Sequence, residues 1–205
     1  MEMVTVIALA ILLTVVFYKY LISPFLIERY IRDMISEEWT ESSDVIAKLL
    51  RAFLPRYTVF NSISLPIPGK DGEEISYGTV AVTKAGIFII SRICGDGLIE
   101  NPQKDKTWRF LSHGNVREFP NPFKEQESPR KLLSVYAGAA GVKDVRVRTL
   151  LVYADEGLRF SDPPTKGMIH ASELYKRMKR LSAKGKLSYK NVKAIADAID
   201  DASEG

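Results

Sequence analysis

One cysteine and two histidines are all that this chain of 205 residues offers to disulfide or imidazole chemistry. With Cys94 alone there is no disulfide framework, so nothing here calls for an oxidising compartment. His113 and His170 are widely separated and share no ligand spacing, so a zinc site is not expected. His113 sits in a turn sequence and reads as a surface residue. No histidine neighbours Cys94 in sequence, and it reads as a buried or neutral thiol at a strand end rather than a nucleophile. Internal repeats and low-complexity tracts are absent. Charge of one sign is only mildly in excess, at +4 with a pI near 9.0. That excess suits an anionic membrane leaflet as well as it suits nucleic acid.

What is present begins at the N-terminus. Residues 3–17, MVTVIALAILLTVVF, carry no charge, and the apolar run resumes after Lys19 with Leu21 and Ile22. A spanning helix needs roughly 20 apolar residues, and this run reaches that length if Lys19 extends its ammonium to the headgroups. Tyr18 and Tyr20 flank that edge as interfacial aromatics do. A cleaved signal peptide fits poorly. There is no basic segment before the run, and bulky residues stand where a small-residue cleavage site would be. Residues 1–22 are therefore expected to be an uncleaved transmembrane anchor. Lys19, Arg29 and Arg32 follow the span with no Lys or Arg before it, which predicts a single-pass protein of the cell membrane with its C-terminal domain in the cytoplasm.

Residues 23–41 read as a juxtamembrane helix, broken from the anchor at Ser23-Pro24, and a short polar linker. Residues 42–205 are enough for one domain with its own core. Ser43 is a candidate N-cap for a helix to Leu54, with Val45, Ile46, Leu49, Leu50 and Phe53 at helical spacing. Strands are predicted over 57–60, 77–83, 87–93, 108–111, 116–119, 145–153 and 168–170. Gly86 and His113-Gly114 mark hairpin turns. The near-continuous apolar end of 145–153 predicts burial on both faces. Helices are predicted from Ser128-Pro129 to about 140, over 172–181, and from a Ser188 cap to about 202. This order predicts an α/β sandwich with a mixed sheet flanked by helices.

Three stretches carry a family pattern: Tyr57-Thr58-Val59-Phe60-Asn61-Ser62-Ile63-Ser64-Leu65-Pro66, then Val80-Ala81-Val82-Thr83-Lys84-Ala85-Gly86-Ile87-Phe88-Ile89-Ile90, then Asn121-Pro122-Phe123-Lys124. Together they resemble the NERD domain, the nuclease-related domain, over roughly residues 42–153. The resemblance implies a restriction-endonuclease-like core. It also implies where metal-dependent phosphodiester cleavage would sit, because that chemistry needs clustered carboxylates for Mg²⁺ and a lysine for the attacking water. The family's strand Asp falls on Gly78, its Glu on Ser91 and its Lys on Ile93. Its early helix Glu falls near Ser43, beside Asp44, and its helix Gln on Glu125, beside Gln126. Residues 91 and 93 share one face of their strand and Arg92 points to the other. A hydroxyl and an aliphatic chain thus replace a ligand and a base. The expectation is a pseudo-nuclease with no catalytic residue, no metal and no cofactor, acting as a binding or assembly module at the membrane.

The alternative is a divergent Mg²⁺-dependent nuclease for DNA or RNA, with its carboxylates relocated to Glu73, Glu74 and Asp96. Asp96 lies in a Gly-Asp-Gly turn, and Glu73-Glu74 read as part of a solvated turn. The densest basic stretch contains Lys176, Arg177, Lys179, Arg180, Lys184 and Lys186, with Lys190 and Lys193 beyond. It reads first as a solvated helix face or a contact for anionic lipid, and second as a nucleic-acid contact. A protein partner is also compatible with the assembly reading. No small-molecule ligand is predicted. No convincing small-xxx-small face in the anchor argues for helix-driven oligomers.

Overall fold

A computed structural model of the protein describes residues 44–100, 105–154, 157–164 and 167–204, together with Leu26, Arg29 and Asp33. The anchor expected over 1–22, the linker and Ser43 lie outside the described residues. Leu26, Arg29 and Asp33 are helical and exposed, and Arg29 Nε lies 3.9 Å from Asp33. Among the described residues no helix is long and apolar enough to cross a membrane.

The fold is α/β with two sheets. Helix α1 (Val45–Arg51) leads through a 3₁₀ turn at Arg56–Thr58 into β1 (Val59–Pro66), β2 (Glu74–Thr83), β3 (Gly86–Ile93) and β4 (Gly97–Glu100). Strands β5 (Thr107–Ser112) and β6 (Asn115–Pro120) form a hairpin. Then come α2 (Pro122–Glu125), α3 (Glu127–Ala139), β7 (Val147–Tyr153), β8 (Leu158–Phe160), β9 (Met168–His170), α4 (Ala171–Ala183) and α5 (Tyr189–Glu204). The larger sheet has the order β1-β2-β3-β7-β9, antiparallel through β3 and parallel from there on. The smaller sheet has the order β6-β5-β4-β8.

Alternation along β3 decides the layers. Phe88 and Ile90 point to one face and pack with α1 and α4, through Leu49, Leu50, Leu174 and Met178. Ile87 and Ile89 point to the other and pack with α3 and α5, through Leu133, Ala137, Ile195 and Ile199. Each fully buried side chain of this kind stabilises the fold by about 1.5–3 kcal/mol relative to exposure. The predicted two-sided burial of β7 is observed, since Leu150, Leu151 and Val152 are all buried between β3 and β9.

Several local expectations hold. The β5–β6 turn places His113 and Gly114 at φ 48° and 78°, the backbone of a tight hairpin turn, and His113 is exposed. Ser188 Oγ accepts from Asn191 N–H at 3.1 Å as the cap of α5. Asn121 Oδ1 accepts from Phe123 N–H at 3.0 Å, with Pro122 opening α2, a short helix that the predicted helices do not include. Others are corrected. Helix α3 begins at Glu127 directly after α2, so Ser128 is inside the helix and caps nothing. The first strand starts at Val59 and runs to Pro66, because Arg56–Thr58 close a 3₁₀ turn on Pro55. Strands β4 and β8 carry too few residues for a periodic signal and are defined by their partners. Cys94 is exposed rather than buried.

One departure from regular alternation matters. Ser62 adopts φ 54° within β1, and it lies opposite Gly78, between the pairs Asn61↔Thr79 and Ile63↔Tyr77. Both strands change face there. Phe60 and Ile63 reach the same cluster although they are three residues apart, and so do Val80 and Tyr77. The switch turns Tyr77 towards α3, where its hydroxyl donates to the Pro129 carbonyl at 3.0 Å. Tyr136 reciprocates from α3 by donating to the Pro66 carbonyl at 2.8 Å. Desolvation pushes the Tyr77 phenol far above its ordinary range, and the neighbouring Tyr136 adds to it. A phenol raised in the folded state ionises first in the unfolded chain, so stability is full below pH ~10 and falls as pH rises further. Tyr77→Phe is expected to cost about 1 kcal/mol at neutral pH and to flatten that alkaline decline. Chemical denaturation at neutral and alkaline pH measures both effects.

Candidate functional site

The positions singled out by the sequence lie on the neighbouring strands β2 and β3, and Ile93 alone among them reaches the seam with the smaller sheet. Gly78 is exposed on β2, and continuing the Thr79↔Ile90 register by one residue sets it opposite Ser91. Ser91 is half-buried on β3, paired in parallel with Leu151. Ile93 ends β3 on the same face as Ser91 by strand alternation. Three strand positions separated in sequence thus share one region of the sheet.

Their chemistry is apolar. Ile93 packs against a cluster formed by Ile99, Trp108, Leu151, Leu158 and Met168, with Phe123 and Tyr153 at its margin. This cluster is the seam that docks the smaller sheet on the end of β7 and β9. Trp108 is fully buried and meets Phe119 and Phe123 edge-on at 6.1 and 6.0 Å. Gly78 is open by contrast. A Cβ added there has only the Ile90 carbonyl oxygen near it, at 3.9 Å. The open lining near Gly78 and the filled one at Ile93 are therefore unequal places for a charged group.

The start of α2 frames the same seam. Asn121 is almost fully buried and donates through Nδ2 to the Asp105 carbonyl at 2.9 Å. Its backbone N–H donates to the Lys106 carbonyl at 2.7 Å. The cap residue therefore ties α2 to the segment that enters β5. Glu125 is exposed, while Gln126 is half-buried at the entrance to α3. Gln126 Oε1, Trp108 Nε1 and Thr149 Oγ1 are buried and find no hydrogen-bond partner among the described residues.

The alternative carboxylates are dispersed. Glu73 pairs with Lys70 Nζ at 2.7 Å in the turn between β1 and β2. Glu74 is exposed at the first position of β2, roughly 13 Å along the strand from Gly78 at ~3.3 Å per residue. Asp96 is exposed between two glycines of positive φ, Gly95 and Gly97, and its carboxylate lies against Gly157. Asp44 is the cap residue of α1 and stands 3.5 Å from Lys48 Nζ. Arg92, paired in register with Val152, belongs to the opposite face from Ser91. Among the described residues no three His, Cys, Asp or Glu side chains group closely enough to hold a metal ion.

His170 caps α4 through Nδ1, which lies 2.7 Å from Ser172 Oγ and accepts from Ser172 N–H at 3.3 Å. Its ring meets Tyr153 edge-on at 5.4 Å. Its role is thus accounted for within the fold.

The basic stretch divides. Lys176, Arg177, Lys179 and Arg180 lie on α4, whose buried positions are Ala171, Leu174 and Met178. Lys179 Nζ sits 5.4 Å from the Tyr175 ring centre. Lys193 on α5 is held by Asp197 at 2.7 Å, which raises its ammonium above the usual range through the hydrogen bond and then the charge. Lys184 and Lys186 instead line a cleft at the far end of the larger sheet, with Lys84, Arg146 and Arg148. The last three were not anticipated from sequence. Their only signal was the Arg-x-Arg spacing at 146 and 148, which places two guanidinium groups on one side of an extended segment.

No protein-family profile, no curated protein and no solved structure matches this chain. The stability of single replacements reports on the site's two halves. Ile93→Lys is expected to cost about 2 kcal/mol by introducing an ammonium into the apolar seam, while Gly78→Asp stays within about 1 kcal/mol. Equal denaturation midpoints for the two variants would show that Ile93 contributes no packing.

Proposed function

We propose that this chain is a membrane-anchored, nuclease-like domain that has lost catalysis and serves as a binding or assembly module at the cytoplasmic face of the cell membrane. The resemblance to the nuclease-related domain supplies the frame, and the mixed sheet with helices on both faces fits a restriction-endonuclease-like core. The observation that carries the reading is the packing of Ile93. At the position where the resemblance puts a catalytic lysine, an aliphatic chain fills the seam beside Trp108, Leu151 and Met168. Replacing an ammonium by a hydrocarbon packed against this cluster removes the base. Gly78 and Ser91 beside it supply no carboxylate, and Mg²⁺ favours oxygen ligands at ~2.1 Å in near-octahedral order.

The divergent-nuclease reading would need Glu73, Glu74 and Asp96 to act together. No observation favours it, since Glu73 is engaged by Lys70 and Asp96 belongs to the other sheet's entry turn.

Two measurements test the proposal. The full chain in detergent is expected to leave single- and double-stranded DNA and RNA intact across a titration of Mg²⁺ and Mn²⁺. Metal-dependent cleavage that disappears in E73Q/E74Q or D96N would establish the alternative. The combined replacement G78D/S91E/I93K is expected to gain Mn²⁺ binding by calorimetry. The anchor is tested separately. The full chain is expected to stay with membranes through alkaline carbonate extraction, and removal of residues 1–22 is expected to release it.

A further inference from the structure

Five cationic side chains from three separated segments meet at the end of the larger sheet away from Ser91 and Ile93. Lys84 comes from the β2–β3 turn, Arg146 and Arg148 from the entry to β7, and Lys184 and Lys186 from the α4–α5 connection. They line a cleft of about 420 Å³, within the size range of small-molecule sites. One carboxylate, Asp144, shares the cleft, and among the described residues no acidic group pairs with any of the five cations.

The cleft is built rather than incidental. Its walls are three segments pressed together. Leu187 N–H donates to the Lys84 carbonyl at 3.0 Å, and Ile87 N–H donates to the Arg146 carbonyl at 3.0 Å. A Cβ on Gly185 would stand 2.2 Å from the Lys84 carbonyl carbon, and one on Gly86 would stand 2.2 Å from the Arg146 oxygen. Only glycine permits either approach. At the base Arg148 is half-buried, and its guanidinium lies 5.5 Å from the Phe88 ring centre. One Nη donates to the Ala85 carbonyl at 2.8 Å, which fixes the group and leaves further N–H donors. Desolvation and then the Arg146 charge disfavour the charged form of Arg148, yet an arginine stays protonated. Five cations facing the single carboxylate of Asp144 leave an excess of like charge that destabilises the fold, and a bound anion relieves that repulsion.

We propose that this cleft binds a compact, multiply charged phosphate group. Lysine ammoniums act as mobile point charges for phosphate oxygens, and the fixed guanidinium offers paired donors. The concave shape favours a compact anion over a duplex, and Lys176, Arg177, Lys179 and Arg180 stand outside it on α4. The phosphate has two sources, a soluble polyphosphate or a phospholipid headgroup.

The test uses the full chain in detergent, with inorganic tripolyphosphate as probe. Saturable binding by calorimetry and a rise in melting temperature are expected. K184E/K186E and K84E/R146E, which alter exposed side chains, are each expected to weaken binding at least about tenfold while keeping the far-ultraviolet circular dichroism spectrum. K106E/R159E makes the same change in net charge on the smaller sheet and is expected to bind as the parent does. Competition then separates the sources. Displacement of tripolyphosphate by mixed micelles of phosphatidylcholine and phosphatidic acid, whose phosphomonoester can carry two charges, but not by phosphatidylcholine micelles alone, assigns the phosphate to a lipid headgroup. Retention in the presence of both assigns it to a soluble phosphate. Absence of saturable binding, or an equal loss in K106E/R159E as a bulk-charge interaction with nucleic acid would give, overturns the proposal.

Discussion

Strands β3 and β7 lie side by side in parallel, from Ile87↔Val147 to Ile93↔Tyr153, and both are apolar on each face. Every other layer refers to this pair. Helices α1 and α4 cover the side of Phe88 and Ile90, while α3 and α5 cover the side of Ile87 and Ile89. A parallel pair cannot be closed by a tight turn, so a crossover must connect it. Here the crossover carries the β5–β6 hairpin and α2 before α3 returns to the sheet. The smaller sheet exists because this long connection brings its own apolar residues and must bury them against something. It buries them on the end of β7 and β9, through Trp108, Ile99 and Leu158.

That arrangement gives the two ends of the larger sheet opposite characters. At one end, β3 runs into the seam between the sheets, where Ile93 packs half-buried against a cluster centred on the fully buried Trp108. At the other, three turns converge with their cations outward and leave a polar cleft. One end of the sheet is thus a packing surface, and the other presents a concentration of positive charge. The same physics links the two ends. Glycines at 86 and 185 allow backbone contacts tight enough to bring lysines and arginines together, and the apolar seam keeps the opposite end closed.

The switch of face at Ser62 and Gly78 has a comparable logic. Regular alternation would leave Tyr77 and Ile63 on the side away from α3. The positive φ at Ser62 turns the outer half of the β1–β2 hairpin over, and the tyrosine pair Tyr77 and Tyr136 then fastens it to the helix. It also leaves Gly78 exposed at the pivot, a position that resemblance alone would assign to chemistry and that the backbone uses for a change of direction.

Local interactions were legible in the chain itself. Hairpin turns at Gly86 and His113-Gly114, the cap at Ser188, and the doubly buried strand ending at Tyr153 follow from side chains acting on their own backbone or from runs of apolar residues. Tertiary structure decided the rest. Strands β4 and β8 are short and exist only through their partners, and Ser128 lost its capping role because α2 directly precedes α3. The Ser62 turn depends on what the strand must reach, and the cationic cleft depends on three turns meeting. Such features arise from contacts between residues distant in the chain, whose energies no local pattern of side chains encodes.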